Sequence, residues 1–342
     1  MLMQDLMVFD HNKNQVIVFT NTHIESHDEL YLREQYEKSH ARIDEFGMSL
    51  HSQIEYQLPP KSQRSQMHSN MTQRQFEKSV CEAKKAIVDG ELFQIVLSQR
   101  FHRKTQAEGC NIYRALRSIN PSPYMFHMKF SDFELIGASP EVLVKVEDRE
   151  MEVRPIAGTR ERGKTEFDDR QLAQDLLQDD KECAEHLMLV DLGRNDVGRV
   201  AEYGSVRIPE YMEIEKYSHV MHIVSQVKGT LREEYDAWDA LYSAFPAGTT
   251  SGAPKIRAME WINRLENCRR GIYSGAVGYL DGRNELNTCI AIRTLWKKGE
   301  NVYFQAGAGI VYDSDPAKEF DETVNKAKAI MRAIDLAEDG LL

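Results

Sequence analysis

The chain has no cysteine framework. Its five cysteines, Cys81, Cys110, Cys183, Cys268 and Cys289, are odd in number and contain no Cys-x-x-Cys pair. Neither a disulfide scaffold nor a zinc cluster is expected, and the thiols read as reduced and structural. No apolar run approaches the roughly 20 residues of a membrane helix. The start places Asp5 and Asp10 around a short apolar stretch, without the basic and apolar regions of a signal peptide, so a cytoplasmic enzyme with no membrane partner is expected. Lys and Arg number 43 against 54 Asp and Glu, a net charge of -11. That balance argues against nucleic acid as a partner, because phosphate binding needs a surplus of cations on one face. It does not exclude a small anionic substrate, which a few convergent basic side chains can hold inside an acidic protein. There is no internal repeat, low-complexity tract or Walker A loop, and nucleotide binding is disfavoured.

What is present is a globular composition: 342 residues, 42% hydrophobic and 28% charged, enough for one large domain or two intertwined ones. Residues 1–56 alternate short apolar runs such as Val16-Ile17-Val18-Phe19 with charged helical stretches, and the polar segment 57–70, with Pro59-Pro60, reads as a linker. A helix follows: Thr72 and Gln75 have capping-box spacing, Phe76, Val80, Ala83 and Ile87 recur at helical intervals, and Gly90 stops it. Strand-like runs occur at 92–101, 133–136, 142–146, 275–280, 288–295 and 302–305, with helical runs around 166–195, 232–245, 255–265 and 316–337. Successive strands without an intervening helix in the last third favour an α+β fold of packed antiparallel β-sheets flanked by helices.

Two helical segments each carry a carboxylate pair. Glu182 and Glu185, and likewise Glu319 and Glu322, stand three residues apart and so share a helix face. Asp315 is placed to cap the second helix, with Pro316 at its first position. Phe320, Val324, Ala327, Met331 and Ile334 form one apolar stripe there, with Glu319, Glu322 and Lys326 on another side. In the first helix Cys183, Leu187 and Val190 take the core side and the glutamates are rotated off it. Such faces are either solvated surfaces or, brought together, four carboxylates for one hard cation such as Mg²⁺.

Two small-residue segments leave similar alternatives. The run from Ala247 to Lys255, Ala-Gly-Thr-Thr-Ser-Gly-Ala-Pro-Lys, can present amides and hydroxyls to an anion at a helix start. Gln305-Ala306-Gly307-Ala308-Gly309 lacks the third glycine of a dinucleotide fingerprint. It is either a tight turn or bulge or a place where backbone approaches a ligand.

From about residue 72 to 334 these segments together resemble the chorismate-utilising enzymes. The resemblance rests on Arg154-Pro155-Ile156-Ala157-Gly158-Thr159-Arg160, on Glu185-His186-Leu187-Met188-Leu189-Val190-Asp191-Leu192, and on Tyr217-Ser218-His219-Val220-Met221-His222. The run from Ala247 to Lys255 and that from Gln305 to Asp315 complete it. It implies a chorismate-binding fold over residues 71–337, with residues 1–70 as the remainder of an N-terminal region and linker. It implies Glu185 and Glu322 as Mg²⁺ ligands, and Glu182 and Glu319 as second-shell or water-mediated partners. It further implies that Tyr273, Arg293 and the amides around Gly307 and Gly309 hold the enolpyruvyl carboxylate, and that Thr249 and Lys326 face the substrate. Glu141 would be the general acid for the departing hydroxyl and His222 the group used in pyruvate elimination.

Two positions separate the family's chemistries. Relatives that add water carry a lysine where this chain has Gln94; an amide cannot serve as that base, so ammonia is the expected nucleophile. Aminodeoxychorismate synthases, the folate-pathway alternative, commonly carry a lysine nucleophile where Ala157 stands, and alanine has none to offer. The resemblance therefore implies an anthranilate synthase-like first component. Such a chain makes anthranilate and pyruvate from chorismate and ammonia, the ammonia coming from a glutamine amidotransferase subunit (component II). The other class of reading is a truncated, inactive assembly subunit. Among the departures, Glu161 replaces a usual proline, and the Leu-Leu-Glu-Ser segment of the family's tryptophan inhibitor site does not occur. Asn120-Pro121-Ser122-Pro123-Tyr124-Met125-Phe126 resembles the other half of that site.

Overall fold

A computed structural model describes residues 2–53, 64–217 and 220–340 of the chain. Ser218 and His219, and residues 57–63 of the expected linker, lie outside the described residues. The chain divides into two compact units, Met1–Leu58 and Pro59–Leu342. In the first, β1 (Asp5–Asp10) and β2 (Gln15–Thr20) form an antiparallel hairpin, followed by α1 (Glu29–Leu50). The apolar run at 16–19 is β2, and Asp28 caps α1 by accepting from the amides of Leu30 and Tyr31.

The second unit runs β3 (His68–Ser69), α2 (Gln73–Val88), β4 (Gln94–Lys104), α3 (Gly109–Ile119), β5 (Tyr124–Lys129), β6 (Glu134–Ser139), β7 (Val142–Glu147), β8 (Glu150–Val153), β9 (Ile156–Glu161) and α4 (Glu166–Gln178). It continues with α5 (Asp180–Gly198), β10 (Arg207–Lys216), β11 (Val220–Thr230), α6 (Ala237–Ala244), β12 (Gly252–Ala253), α7 (Lys255–Leu265), β13 (Ala276–Leu280), β14 (Leu286–Ile290), β15 (Thr294–Lys298), β16 (Asn301–Ile310) and α8 (Pro316–Glu338). Sheet I has the order β10-β11-β8-β7-β14-β13 with β9 also on β11, and sheet II the order β12-β4-β16-β15-β6-β5 with β3 on β4. All pairings are antiparallel, so the fold is α+β with antiparallel sheets flanked by helices, as the pattern of runs anticipates.

The helix starts follow from their caps. Thr72 and Gln75 close a reciprocal capping box on α2, which buries Phe76, Val80, Ala83 and Ala86 and stops just before Gly90, φ 77°. Burying Phe76 and Val80 contributes about 1.5–3 kcal/mol each. Asp315 caps α8 through the amides of Ala317 and Lys318, with Pro316 opening the helix. The expected helical run over 166–195 is two helices, because Asp179 ends α4 and caps α5 through the amides of Lys181 and Glu182.

The faces of sheet II explain where a ligand has room. Phe101 opposes Phe304, Leu97 opposes Ala308 and Ile95 opposes Ile310, and these apolar positions pack under α2, α3, α7 and α8. With a side-chain period of two, the alternate pairs Ser98 with Gly307 and Val96 with Gly309 stand on the opposite face. That face is small and polar. In sheet I, Val144, Val146, Met151, Val153 and Val227 pack against α5 and α6.

Two expectations need correction. The run 288–295 is not one strand: β14 belongs to sheet I and β15 to sheet II, and the chain breaks between them at Arg293, φ 48°. A left-handed arginine is uncommon and costs of order 1 kcal/mol, which marks a place where the surroundings fix the backbone. Leu187 is exposed, and the core face of α5 is His186, Leu189, Val190, Gly193 and Val197, with Cys183 partly buried. The inward direction is rotated toward His186, whose Nε2 meets the Ser225 hydroxyl at 2.7 Å while its buried Nδ1 has no hydrogen-bond partner. All five cysteines are free. Among the described residues no helix is long and apolar enough to cross a membrane.

Candidate active site

The two carboxylate pairs come together at the starts of α5 and α8. Arg160 donates to Asp179, the α5 cap, at 2.7 Å and lies 3.6 Å from Glu182, so the Arg154 to Arg160 segment holds that helix start in place. Burial pushes the Glu185 carboxyl up, the Gln94 amide pulls it back, and the negative charges of Glu182 and Glu322 push it up further. Glu319 is raised by burial and by Glu322, with Ser314, Lys181 and Lys326 opposing. Lys181 therefore lies within reach of a carboxylate on each helix. Glu322 pairs with Lys326 at 2.6 Å, and the Lys326 ammonium donates to the carbonyl of Gly307 at 3.1 Å.

Gln94, at the start of β4, is buried and donates Nε2 to Glu185 Oε1 at 2.8 Å, while its Oε1 has no hydrogen-bond partner. The glycines on the facing strand are required by this packing. A Cβ on Gly309 would lie 2.9 Å from Gln94 Nε2, and one on Gly307 would lie 2.7 Å from the Tyr273 hydroxyl and 3.0 Å from the Leu97 carbonyl. The segment 305–309 is thus the interior of β16, neither turn nor bulge.

Glu141 and Arg293 sit where the chain passes between the sheets. Glu141 lies between β6 and β7, Arg293 between β14 and β15. The two passages are laced together, Ala138 N–H donating to Arg293 O at 3.2 Å and Ile290 N–H to Glu141 O at 3.0 Å. Burial pushes Glu141 up to about 7, against the Thr249 hydroxyl beside it and the charges of Lys326 and Arg293. Thr249 Oγ1 is buried and has no hydrogen-bond partner. Arg293 is itself pushed down by burial, with Glu141 opposing. Tyr273 lies in the turn before β13 and not in a strand; burial pushes its phenol up to about 12, and Glu141 is among the charges acting on it.

His222, on β11, bonds through Nδ1 to the carbonyl of Gly158 at 2.8 Å. A carbonyl only accepts, so Nδ1 carries the proton and Nε2 keeps its lone pair. Burial lowers its basicity, as does Arg293, while the Gly158 carbonyl and Glu215 oppose. The Tyr217 ring stands edge-on to it at 5.5 Å, and the Tyr217 hydroxyl donates to Glu215 at 2.8 Å. Arg293 acts on both Glu141 and His222, which joins the two halves of the site.

All thirteen candidate residues thus belong to one connected cluster. Reading by residue type missed Lys181, Gly158 and Tyr217, although the last two stand inside quoted motifs. A glycine within an extended run, as at Gly158, is the signal that could have flagged it. Four glutamates, with Lys181, Lys326 and Arg160 as neighbouring cations, offer oxygen donors of the kind a hard divalent ion takes. Among the described residues no group of three or more such side chains stands placed to hold a metal ion.

The profile of the chorismate binding enzyme family matches residues 1–332. The chain is 52% identical over 315 residues to anthranilate synthase component 1 of Aquifex aeolicus, covering 90% of this chain and 63% of that protein. It is 46% identical over 340 residues to the Acetivibrio thermocellus protein of the same name, covering 98% and 69%. The crystal structure of anthranilate synthase component I from Streptococcus pneumoniae superposes with a TM-score of 0.85 at 43% identity, over 95% of this chain and 71% of that one. The chain thus spans a little under two thirds of the Aquifex relative's length. With its described strands and helices arranged as in that crystal structure, the chain belongs to the chorismate binding enzyme family.

Proposed function

We propose that the protein converts chorismate and ammonia to anthranilate and pyruvate in a Mg²⁺-dependent reaction, the first committed step of tryptophan biosynthesis, in the cytoplasm. The observation that carries this reading is Gln94. Its amide is buried and bonded to Glu185, where relatives that add water need a lysine base. Ala157, on β9 next to the His222 strand, offers no nucleophile for the other amination.

Glu185 and Glu322 hold the ion, with Glu182 and Glu319 behind them. When bound, Mg²⁺ supplies Lewis-acid stabilisation at the ring carboxylate and the departing hydroxyl. Arg293 and Tyr273 grip the enolpyruvyl carboxylate, the guanidinium through its two-pronged donor geometry, beside the amides near Gly307 and Gly309. Lys326 and Thr249 face the ring. Glu141, protonated up to about pH 7, gives its proton to the leaving hydroxyl. His222, neutral because burial disfavours its charge, takes up a proton at Nε2 in the later elimination of pyruvate.

None of the five cysteines stands in a Gly-x-Cys-x-Gly elbow, so glutamine hydrolysis is assigned to a glutamine amidotransferase subunit, component II. Anthranilate fluorescence tests the whole reading. With chorismate, Mg²⁺ and ammonium the purified chain should produce it, and with glutamine in place of ammonium it should not. Activity from glutamine alone would remove the partner from the scheme, and no activity from ammonium would remove the reaction.

His222→Met is expected to aminate chorismate and then release the amino-cyclohexadiene intermediate, because the two half-reactions use different groups. Mass analysis of products decides this. An unchanged anthranilate yield would take His222 out of the elimination.

A further inference from the structure

Glu266 closes α7 as its C-terminal cap residue, and its side chain is 5% exposed. Glu266 Oε1 accepts from the Ser98 amide at 2.9 Å and from the Ser98 hydroxyl at 2.6 Å, and that hydroxyl accepts in turn from Gln305 Nε2 at 2.7 Å. Arg270 completes the cluster. It donates Nε to Glu266 Oε2 at 3.0 Å and Nη2 to Glu266 Oε1 at 2.7 Å. Nη2 also donates to the carbonyl of Val96 on β4 at 2.7 Å, and Nη1 to the carbonyl of Thr250, just before β12, at 2.6 Å. Four bonds in a rigid planar fork fix both the place and the tilt of the guanidinium.

That guanidinium lies over the ring of Tyr273, with Cζ 5.4 Å from the ring centroid, within reach of a cation–π contact. The Tyr273 amide also donates to the carbonyl of Arg270, at 3.3 Å. At its other end the phenol stands against Gly307, where a Cβ would come within 2.7 Å of the hydroxyl. Tyr273 is only partly buried. It lines, together with Arg270 and Met259, an open crevice of about 540 Å³, so apolar packing does not enclose the ring on every side. A buried Glu–Arg pair is a weak source of stability, because both ions give up their water. As a fixed flat surface beneath a ring it is well made.

We propose that Arg270, held by Glu266, is a positioning residue for Tyr273: its guanidinium is the platform that keeps the phenol beside Gly307, where the enolpyruvyl carboxylate is bound. The proposal rests on the reading of Tyr273 as part of the carboxylate grip. Arg270 spends each of its three nitrogens on protein acceptors and serves the substrate only through the ring. The grip is made to a group that does not react, so it holds bound substrate and transition state alike. Loosening the platform should therefore raise KM for chorismate and leave kcat in place, whereas a general fault in the fold lowers the amount of active protein and leaves KM in place.

The test uses Arg270→Lys, which keeps a charge for Glu266 but loses the fork, alongside Tyr273→Phe. With the purified chain, Mg²⁺ and saturating ammonium, KM for chorismate should rise about tenfold in each, the size of one hydrogen bond to a charged group. The kcat should stay within about twofold of the parent. The double variant should have the KM of Tyr273→Phe alone, because the platform acts only through the phenol. Aromatic NMR of the substrate-free chain, with Tyr273 assigned by its loss in Tyr273→Phe, should show a faster ring flip in Arg270→Lys. That readout needs no turnover, so it separates failure of the platform from failure of the proposed reaction. A folded Arg270→Lys with the parent's KM or the parent's flip rate, or a double variant whose KM increases multiply, overturns the proposal. If Arg270→Lys does not fold, Glu266→Gln takes its place. Its amide sets an NH₂ group against the guanidinium, and the same two changes are expected in smaller measure; parent values for both overturn the proposal equally.

Discussion

Glu185→Gln is expected to lower anthranilate formation about a thousandfold while the protein stays folded. The carboxylate is proposed as a charged Mg²⁺ ligand, and Lewis-acid stabilisation is worth several kcal/mol, roughly 4 kcal/mol for three decades of rate. The amide keeps an oxygen that can accept from Gln94 Nε2, so the local packing has an isosteric substitute. The core face of α5 is His186, Leu189 and Val190 and is untouched. Glu322→Gln should behave alike, with weaker Mg²⁺ binding by calorimetry in both. Turnover close to the parent at saturating Mg²⁺ in either variant would refute the metal assignment.

Glu141→Gln should cost about 10²–10⁴-fold in kcat, the range a positioned proton donor supplies. The amide cannot protonate the leaving hydroxyl. The pH profile gives a second reading. Burial holds Glu141 near 7, so the parent's kcat at saturating ammonia should fall above about pH 7, as the acid loses its proton. Free ammonia rises over the same range at fixed total ammonium and masks the fall, so rates must be compared at fixed ammonia. The variant should show no such limb. A limb that persists in Glu141→Gln would assign the titration, and with it the acid, to another group.

The parts of the fold that depend on local chemistry were legible in the amino-acid order. The Thr72–Gln75 box, the Asp315 cap and the Pro316 start are each visible within four residues. The paired glutamates follow from helical spacing alone. What could not be read was where chain direction changes without a change in hydrophobicity. Ile290, Ala291, Ile292 and Leu295 look like one strand, and nothing in a period of two reports that Arg293 bends backward between two sheets. Strands β10 and β11 escaped for a related reason. Burial alternates along β10, but one of its inward positions is Glu210, which pairs with Arg154, so the apolar signal of a half-buried strand is interrupted in the residue types. The convergence of thirteen residues came from the family resemblance and was beyond spacing arguments, because it joins positions more than 200 residues apart, such as Gln94 and Glu322.

The paired passages at Glu141 and Arg293 also have a mechanical meaning. Strands β6 and β7 run beside β15 and β14 as one two-stranded ribbon that leaves one sheet and enters the other. A ribbon bent once acts as a hinge pin: when one sheet rocks against the other, points on the pin keep their separation and points at the rims swing. Glu141 and Arg293 lie on the pin. Helix α5 rides on sheet I and α8 on sheet II, so the glutamates they carry lie out on the lever arms. A rocking motion would leave the proton donor and the carboxylate grip in register and would change the gap between the acidic helix ends.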